Sequence, residues 1–388
     1  MKVDRSTWQR VRLGEIARIA KEVPTSPGER VVGLEHLESG VLTVRKWAGA
    51  DLGHTFTRRF DAGHVLFGRR RAYQRKAARA EFAGVCSGDI LVLEALPGVD
   101  PLFLPLVMQS AGLIEHAVTR SAGSLSPRTN WRALAEYQLS LPDLEEQERI
   151  ARLVWAAETV TVRTEHAAAA AWDVEKRVLE DAYNDPSWPM VRTDEAGEAQ
   201  LGRMQHPKYQ TGQHLKPYLR VANVGDDQLV LDDVLHMDFD QEHFRKYSLK
   251  SGDILLNEGQ STELVGRCTM YQGEIEGCCY QKSLLRFRVS EGVEPEFAYG
   301  WFRRAFYRGD FARNSTKTTS LANLTAVRFK KMPFPLPPLE VQRKIVERVA
   351  EAREVRRRLE EHAANSRRLV HALIDRILGE DDPPDELR

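Results

Sequence analysis

The sequence predicts an α+β fold in which two tandem domains of mixed α/β character are each followed by a long helix. The main observation is a repeat: LPDLEEQERIARLV (141–154) returns as LPPLEVQRKIVERV (336–349), 195 residues later. WQRVRLGEIARI, which begins at Trp8, similarly returns as WPMVRTDEAGEA at Trp188. After each LP motif, apolar residues recur every three or four positions, which is the spacing of a coiled-coil seam. These observations predict one duplicated unit rather than two unrelated domains.

The repeat extends through the strands and turns that precede each helix. FDAGHVLFGRRR (60–71) resembles LKSGDILLNEGQ (249–260), because each is a glycine turn followed by a short apolar strand that ends in polar residues. SAGSLSPRTNW (121–131) likewise resembles STKTTSLANLT (315–325), a loop of small hydroxyl residues before a helix start. The predicted segments are a first domain (1–141), a central long helix (142–184), a second domain (185–336), a C-terminal long helix (337–379) and an acidic tail (380–388).

The two long helices are predicted to pair with each other as an antiparallel coiled coil. Roughly 40 residues at about 1.5 Å each give rods of about 60 Å. Because the seam of the first helix is rich in alanine and buries little by itself, that helix needs a partner. In the alternative interpretation, each helix only caps its own domain. The predicted seam residues are Ile150, Val154, Val160, Val174, Ile345, Val349, Leu359, Leu369 and Leu373.

Composition limits the classes of function. The 56 basic and 56 acidic residues give a net charge of zero, which argues against a protein that coats nucleic acid indiscriminately. Basic residues are nevertheless concentrated, since eight arginines and lysines lie between positions 51 and 80. The four cysteines show no CxxC spacing and are expected to be free thiols. With no bilayer-spanning run and no signal peptide, the chain is expected in the cytoplasm.

The motifs of the chain predict no catalytic or metal site. The sequence has neither a GxxxxGK[ST] phosphate loop nor a GxGxxG dinucleotide motif. NDPSW (184–188) only faintly resembles an amino-methyltransferase motif, and it lies at the junction between the repeats. The histidines form no HxxxH or HExxH pair. We therefore expect no catalytic residues, no metal and no cofactor on this chain.

The stretch FGRRRAYQRKAARA (67–80) is the best candidate for nucleic-acid binding. Five cations surround Tyr73 and Gln74, and arginine suits both phosphate oxygens and the O6/N7 edge of guanine. The corresponding stretch NEGQSTELVGR (257–267) is less basic and offers base-edge readers instead. The alternative interpretation is a solvated basic loop. The predicted DNA-binding residues are Arg69, Arg70, Arg71, Tyr73, Gln74, Arg75, Lys76, Ser124, Arg128, Asn130, Asn257, Glu258, Gln260, Arg267, Lys317, Ser320 and Asn323.

The chain resembles the DNA-specificity subunits of type I restriction-modification systems. The resemblance rests on the two Pro-x-x-Glu-x-Gln helix starts and on the stretches HVLFGRRRAYQRKAARAEFAGVCSGDILVL and GDILLNEGQSTELVGR. It covers nearly the whole chain and implies a non-catalytic subunit whose two target-recognition domains read two short sequences separated by a fixed gap in double-stranded DNA. It also implies two methyltransferase subunits docked beside the helices and, in the restricting complex, ATP-driven translocase-nuclease subunits. S-adenosylmethionine, ATP and magnesium would then be bound by those partners.

Two other classes of function remain open from the sequence. One is a DNA-modifying enzyme with its own active site, against which the missing cofactor and metal motifs argue. The other is a helical scaffold protein with no role on DNA. Methyl transfer by the purified chain alone would favour the enzyme. Failure to bind any duplex, even with methyltransferase partners present, would favour the scaffold.

Overall fold

Two helices, Leu144–Ala182 and Leu339–Leu378, are much longer than the other helices of the described chain. The computed structural model describes residues 4–21, 30–49, 55–121, 127–206, 211–317 and 321–379. The chain divides into two units, unit 1 (Met1–Ala167 with Leu359–Arg388) and unit 2 (Ala168–Arg358). Both divisions fall inside the long helices, so each unit contains one mixed domain and a segment of each long helix. The predicted acidic tail (380–388) lies outside the described residues.

Unit 1 is built from short strands and helices that precede the first long helix. Its elements are, in chain order, β1 (Gln9–Arg12), α1 (Leu13–Ile16), β2 (Ala17–Ile19), β3 (Arg30–Val32), β4 (Ala48–Gly49), β5 (Arg58–Phe60), β6 (Val65–Gly68), β7 (Ala77–Arg79), β8 (Gly84–Cys86), β9 (Ile90–Ala95), α2 (Leu104–Gln109), α3 (Ala111–Thr119), α4 (Trp131–Ala135), β10 (Gln138–Leu141) and α5 (Leu144–Ala182), of which unit 1 holds the first part. The strand orders of its sheets are β1-β10, β2-β9-β6-β7 and β4-β3-β8-β5.

Unit 2 contains the end of α5 and the start of the second long helix. Its other elements are β11 (Met190–Arg192), α6 (Thr193–Ala196), β12 (Gly197–Leu201), β13 (Leu215–Leu219), β14 (Leu235–Asp238), α7 (Gln241–Tyr247), β15 (Ile254–Asn257), β16 (Gly259–Gln260), β17 (Cys268–Met270), β18 (Cys279–Tyr280), β19 (Leu284–Val289), α8 (Pro295–Tyr307), α9 (Asp310–Asn314), β20 (Thr316–Lys317), β21 (Ala322–Asn323), α10 (Ala326–Lys330), β22 (Pro333–Pro335) and α11 (Leu339–Leu378). Its sheets have the strand orders β11-β22, β12-β19-β15-β17, β14-β13-β18 and β16-β21-β20.

The two units repeat one topology. The order β2-β9-β6-β7 in unit 1 corresponds to β12-β19-β15-β17 in unit 2, and the pair β1-β10 corresponds to β11-β22. A parallel pair, β3 with β8 in unit 1 and β13 with β18 in unit 2, also recurs. The predicted fold class, two mixed domains each followed by a long helix, is therefore confirmed.

Each unit has its own apolar core, and both long helices help to close it. In unit 1, Val154 of α5 and Val370 of α11 are buried in the same cluster as Phe67 of β6. In unit 2, Leu179 of α5 and Val349 of α11 share a cluster that includes several phenylalanines. The start of α5 thus packs with the end of α11 in unit 1, and the end of α5 packs with the start of α11 in unit 2. Within each unit the helix segments are antiparallel, as predicted.

The glutamine of each repeated helix start explains why the motif occurs twice. The buried side chain of Gln147 donates to the Pro142 carbonyl at 2.9 Å and accepts from the backbone N–H of Asp100 at 2.9 Å. Gln342 makes the same two contacts, with the Pro337 carbonyl and the Glu294 N–H, also at 2.9 Å. One amide therefore joins the first turn of the long helix to the loop before α2 or α8. We call these two arrangements the glutamine clamps.

The predicted seam is wrong at three positions. Val160, Val174 and Leu369 are 55%, 53% and 65% exposed, although they were expected to face the partner helix. The other predicted seam residues are buried or half-buried; they are Ile150, Val154, Ile345, Val349, Leu359 and Leu373.

The physical reason is that charged and polar side chains occupy several inward positions. Glu158, Thr161 and Glu175 are buried on α5, and Arg356 is buried on α11. The spacing of apolar residues therefore indicates the apolar neighbours of these positions. Val160 precedes Thr161, and Val174 precedes Glu175. On α11, Val370 is the buried residue and its neighbour Leu369 is exposed.

Candidate nucleic-acid interface

The predicted basic stretch of unit 1 forms a short tip between β6 and β7, which we call the arginine tip (residues 69–76). A single 3-10 turn, Ala72–Gln74, forms its apex, and Ala72 is buried beneath it. Arg71 and Arg75 flank this turn with φ values of 52° and 49°. Such left-handed conformations are uncommon for residues other than glycine, and they persist where surrounding contacts hold them.

Contacts at the base of the arginine tip hold it to the rest of unit 1. The Arg75 guanidinium lies 3.0 Å from the Asp375 carboxylate of α11. The Lys76 ammonium donates to the Leu34 carbonyl at 2.7 Å, and the Ser39 hydroxyl donates to the Gln74 carbonyl at 2.6 Å. Two of the predicted DNA-binding cations, Arg75 and Lys76, are thus engaged inside the protein.

The outer face of the tip presents an arginine and an aromatic ring. Arg71 is exposed, and among the described residues no carboxylate pairs with its guanidinium. The Tyr73 side chain is 61% exposed, which is unusual for a tyrosine on a segment whose base is so well anchored. A fixed tip with an available cation and an available ring is suited to contact phosphate and to stack on a base.

A second group of cations lies beside the tip. Asp89 accepts from Arg70 at 3.3 Å and from Arg128 at 2.8 Å. Partial burial opposes ionisation of the Asp89 carboxyl, but the two guanidinium groups outweigh it and lower its pKa. The Arg69 side chain donates to the Thr129 carbonyl at 3.2 Å. Arg70 and Arg128 thus share the carboxylate of Asp89.

Another predicted residue of this region, Asn130, has a structural role. Asn130 caps the N-terminus of α4, where its side-chain oxygen accepts from the Ala133 N–H at 2.9 Å. This contact is typical of an N-cap asparagine and stabilises the helix start. Ser124 lies outside the described residues.

Unit 2 repeats the backbone frame of this site with different side chains. In unit 1 the Arg69 N–H donates to the Asp89 carbonyl, and the Thr129 N–H donates to the Arg69 carbonyl. In unit 2 Glu258 makes the same pair of contacts, with Ser283 and Leu324. Glu258 therefore stands where unit 1 has Arg69. Burial raises the pKa of the Glu258 carboxyl, although nearby Lys282 opposes the shift.

The small sheet β16-β21-β20 brings three predicted residues of unit 2 together. Gln260 pairs with Ala322, and the next ladder position joins Gly259 to Asn323. Lys317 also faces Ala322 from the other side of the ladder. Gln260, Asn323 and Lys317 thus share one small sheet, whose amides and ammonium can donate to base edges or phosphates. Ser320 lies outside the described residues.

Two other predicted DNA-binding residues of unit 2, Asn257 and Arg267, are more buried than a DNA contact requires. Asn257 is fully buried, and both polar atoms of its side chain are without a hydrogen-bond partner among the described residues. A base edge cannot reach a side chain in that position, so Asn257 is corrected to an interior residue. Arg267, whose carbonyl accepts from the Asn257 N–H, is half-buried with a buried Nε atom. Gly68 is the counterpart of Asn257 in unit 1, so the buried amide is particular to unit 2.

Sequence reasoning missed an aromatic group in unit 1. The Arg30 guanidinium lies 4.3 Å from the ring centroid of Trp47 and 4.5 Å from that of Phe82. Trp47 is 44% exposed, so the stacked arginine borders solvent. The three residues are far apart in sequence, and the pairing of β3 with both β4 and β8 brings their segments together. A lone tryptophan in a loop was the only signal of this group in the sequence.

The described residues contain neither a metal-binding group nor a membrane span. No cluster of three or more histidine, cysteine, aspartate or glutamate side chains is arranged to hold a metal ion within the described ranges. Among the helices of those ranges, none is long and apolar enough to cross a bilayer.

Comparison with known proteins identifies a known domain in the second half of the chain. Residues 188–363 match the family model described as the type I restriction modification DNA specificity domain. The chain carries a type I DNA specificity domain. The resemblance that the repeated motifs indicated, to the specificity subunits of type I restriction-modification systems, is therefore confirmed over this range. The matched range begins at the Trp188 motif and ends within α11, so it covers the second copy of the repeat with the first part of its helix.

Individual relatives agree with this family. The chain is 27% identical over 131 residues to a putative type I restriction enzyme MjaX specificity subunit of Methanocaldococcus jannaschii, covering 33% of this chain and 31% of that protein. It is 29% identical over 164 residues to the type I restriction enzyme StySPI specificity subunit of Salmonella potsdam, covering 41% of this chain and 35% of the relative. The matches thus span about a third of the length of these curated relatives.

A solved structure agrees over almost the whole chain. This structure comes from work on the structural basis of complex assembly and conformational transition of the type I R-M system. The match covers 95% of this chain and 97% of the solved chain. The TM-score is 0.55 and the sequence identity is 21%. This likeness supports the duplicated fold of the whole chain, including the first copy of the repeat.

Proposed function

We propose that this chain is the DNA-recognition subunit of a type I restriction-modification complex and reads a bipartite, asymmetric site in double-stranded DNA. The observation that carries the proposal is one fold present twice with different polar side chains at the same backbone positions. Glu258 in place of Arg69 is the clearest example. Two copies with the same surface would favour a symmetric target, whereas two unlike surfaces favour two unlike half-sequences.

In unit 1, the arginine tip and the neighbouring arginine group are the proposed DNA surface. Arg71 would contact a phosphate, because its guanidinium is exposed and fixed arginines neutralise phosphate charge. Tyr73 would contact a base or sugar through its exposed ring. Arg70 and Arg128 would add positive charge beside the tip. Arg75 and Lys76 act behind this surface and hold the tip in place.

In unit 2, the proposed DNA surface is the sheet β16-β21-β20 with the adjoining carboxyl group of Glu258. Gln260 and Asn323 can each pair with a base edge, and adenine is the base that suits both amides best. Glu258 can accept from the exocyclic amine of cytosine. Lys317 would contact phosphate. A surface with so few cations depends more on base contacts than on phosphate attraction.

Two copies of a methyltransferase subunit are the proposed partners, and the repeated surface around the glutamine clamps is their proposed docking site. In unit 1 a shallow groove is lined by residues 98–102 and by side chains of the first turns of α5, including Leu144 and Arg152. The corresponding elements in unit 2 are residues 292–296 and the turns of α11 after Leu339. Leu144 and Leu339 are both exposed. One surface present twice fits two copies of one partner.

The chain itself is proposed to perform no catalytic step. S-adenosylmethionine would bind to the methyltransferase partners, and ATP with magnesium would bind to translocase-nuclease subunits in a restricting complex. The complex would act on DNA in the cytoplasm. The long helices are proposed to set the gap between the two half-sequences, since both belong to both units.

The test is binding of a duplex library by the chain assembled with its methyltransferase partners. Arg71→Ala is expected to flatten the dependence of log affinity on log salt by about one unit, as loss of one phosphate contact does. Tyr73→Ala is expected to relax base preference in one half of the site. Arg18→Ala, an exposed arginine on β2 paired with Glu94, is the matched control and should change neither. An assembled complex that selects no sequence from the library would refute the proposal.

A further inference from the structure

On the inner faces of the two long helices, acidic side chains lie on one helix and their arginine partners lie on the other. In unit 1, Arg367 of α11 donates to Glu158 and Glu165 of α5. In unit 2, Arg356 of α11 donates to Glu175 of α5. In both units α5 supplies the acid and α11 supplies the arginine.

These charges depart from the internal repeat. The offset of 195 residues that superposes Gln147 on Gln342 makes Trp172 the counterpart of Arg367. The same offset makes Val370 the counterpart of Glu175, and Thr161 the counterpart of Arg356. The apolar core and the glutamine clamps are therefore shared by both halves, whereas the buried charges are specific to one helix or the other.

We propose that these charges make helix pairing heterotypic: α5 segments accept α11 segments and reject their own kind from a second copy of this chain. The proposal concerns the helices alone and does not depend on what the recognition domains bind. Its consequence is that the two unlike halves of one chain stay together and do not exchange into pairs of identical halves.

Self-pairing of the first half would leave acids without partners. In the geometry of unit 1, α5 of a second copy would take the place of α11, so Trp172 would stand where Arg367 binds Glu158 and Glu165. Glu175 would stand where Val370 is fully buried among apolar side chains. The Glu158 side chain is only 3% exposed, so its carboxylate would be buried without a cation. Such uncompensated buried charge is strongly unfavourable.

Self-pairing of the second half would take one carboxylate away from two buried arginines. In the geometry of unit 2, α11 of a second copy would take the place of α5, so Val370 would stand where Glu175 binds Arg303 and Arg356. The side chains of these two arginines are 2% and 8% exposed. Asp227, which also binds Arg353, would keep its contacts with both. An incoming Arg367 in place of Trp172 would add further positive charge.

Cleavage and exchange of the full chain test this proposal. A protease site is introduced into the exposed loop 184–187, between α5 and β11, and the folded protein is cut there into an N-half and a C-half. Equal amounts of isotopically light and heavy cut protein are mixed, and urea is raised until light and heavy halves exchange. Native mass spectrometry then counts each kind of pair.

The expected result is that exchanged pairs always contain one N-half and one C-half. Pairs of two N-halves or two C-halves should fall more than about a hundredfold below their statistical share, the penalty expected for unpaired buried charges. Either homotypic pair at a comparable level would overturn the proposal. Exchange that yields only single halves would overturn it as well.

A variant that transfers the charge pattern supplies the positive control. Trp172→Arg with Glu175→Val gives α5 the side-chain types that α11 has at the counterpart positions. An N-half with these changes offers an arginine to Glu158 and Glu165 of a second N-half and a valine to the apolar core. N-half pairs should then rise at least about tenfold over the unsubstituted cut protein. No rise would contradict the assignment of specificity to these positions.

Discussion

Glu175→Gln is the most informative single change in the buried charge network of unit 2. The Glu175 carboxylate is 1% exposed and binds both Arg303 and Arg356. Glutamine keeps an acceptor but removes the negative charge, so Asp227, which also binds Arg353, would have to balance more of the positive charge of these two guanidinium groups. Removing one partner of a buried ion pair costs about 3–5 kcal/mol, and the retained acceptor places this change near the lower end.

The expected loss of stability can be measured as a decrease in the midpoint temperature of thermal unfolding. For a domain of roughly 190 residues, 1 kcal/mol corresponds to about 2–4 °C, so a loss of about 3 kcal/mol predicts a decrease of about 6–12 °C. Calorimetry near neutral pH follows unfolding of the whole chain. The control is Glu354→Gln on α11, whose side chain is 39% exposed and pairs with Arg357 and Arg358. Because exposed pairs contribute little, its midpoint should stay within about 1 °C of the parent.

Three observations would be informative here. A Glu175→Gln midpoint within about 2 °C of the parent would refute the interpretation that the network is buried and tightly coupled. A decrease that vanishes in high salt would also contradict it, since buried pairs are screened much less than exposed ones. An equal decrease in the Glu354→Gln control would show that any loss of charge on these helices has the same effect.

Other predictions follow from the same contacts. Backbone N–H donors, that of His214 foremost, lower the pKa of the Asp238 carboxyl, so its stabilisation is present above the ordinary value of 3.8 and is lost as pH falls through the lowered pKa. Asp238→Asn should therefore lower the urea midpoint at pH 7, and the difference should shrink as the pH is taken below that value; a constant difference would contradict this. Burial raises the pKa of the Cys86 thiol to about 12, so iodoacetamide at pH 8 should label it only after unfolding, as peptide mass spectrometry can check. Gln147→Ala should cost about 1–3 kcal/mol and speed amide exchange in the 98–102 loop, and Gln342→Ala should do the same in the 292–296 loop; exchange that increases in both loops for one change would argue against independent clamps.

The repeated fold could be predicted from the sequence because it depends on local patterns. Glycine turns, short apolar strands and the LP helix starts recur in the same order in both halves, and each pattern is visible within a dozen residues. The structure confirms the duplicated topology that they predicted. The glutamine clamps add the reason for the most regular part of the motif, which is a contact between Gln147 or Gln342 and a loop 47 or 48 residues earlier.

The helix register could not be predicted, because burial of a charged residue depends on partners from elsewhere in the chain. Glu175 is an inward residue since Arg303 and Arg356 reach it from other elements. Without those partners its sequence context suggests an exposed side chain. The pattern of apolar residues therefore pointed to Val174 instead.

The candidate site was predictable as a region and not residue by residue. The arginine tip lies where the basic stretch indicated, but Arg75 binds Asp375, about 300 residues away, and no local pattern signals that contact. Asn257 ends an apolar strand, where an amide would ordinarily emerge into solvent, yet its side chain is buried. DNA contacts of Arg71, Tyr73 and the unit 2 residues remain predictions.

The methylated motif, mapped genome-wide in cells that contain the chain with its methyltransferase partners, tests the central claim most directly. The parent chain should give one motif with two unlike half-sequences and a fixed gap. Tyr73→Ala should alter base preference in only one half-sequence, and Gln260→Ala should alter it in only the other, with the gap unchanged. A single continuous motif, or two substitutions that alter the same half-sequence, would contradict recognition by two separate domains.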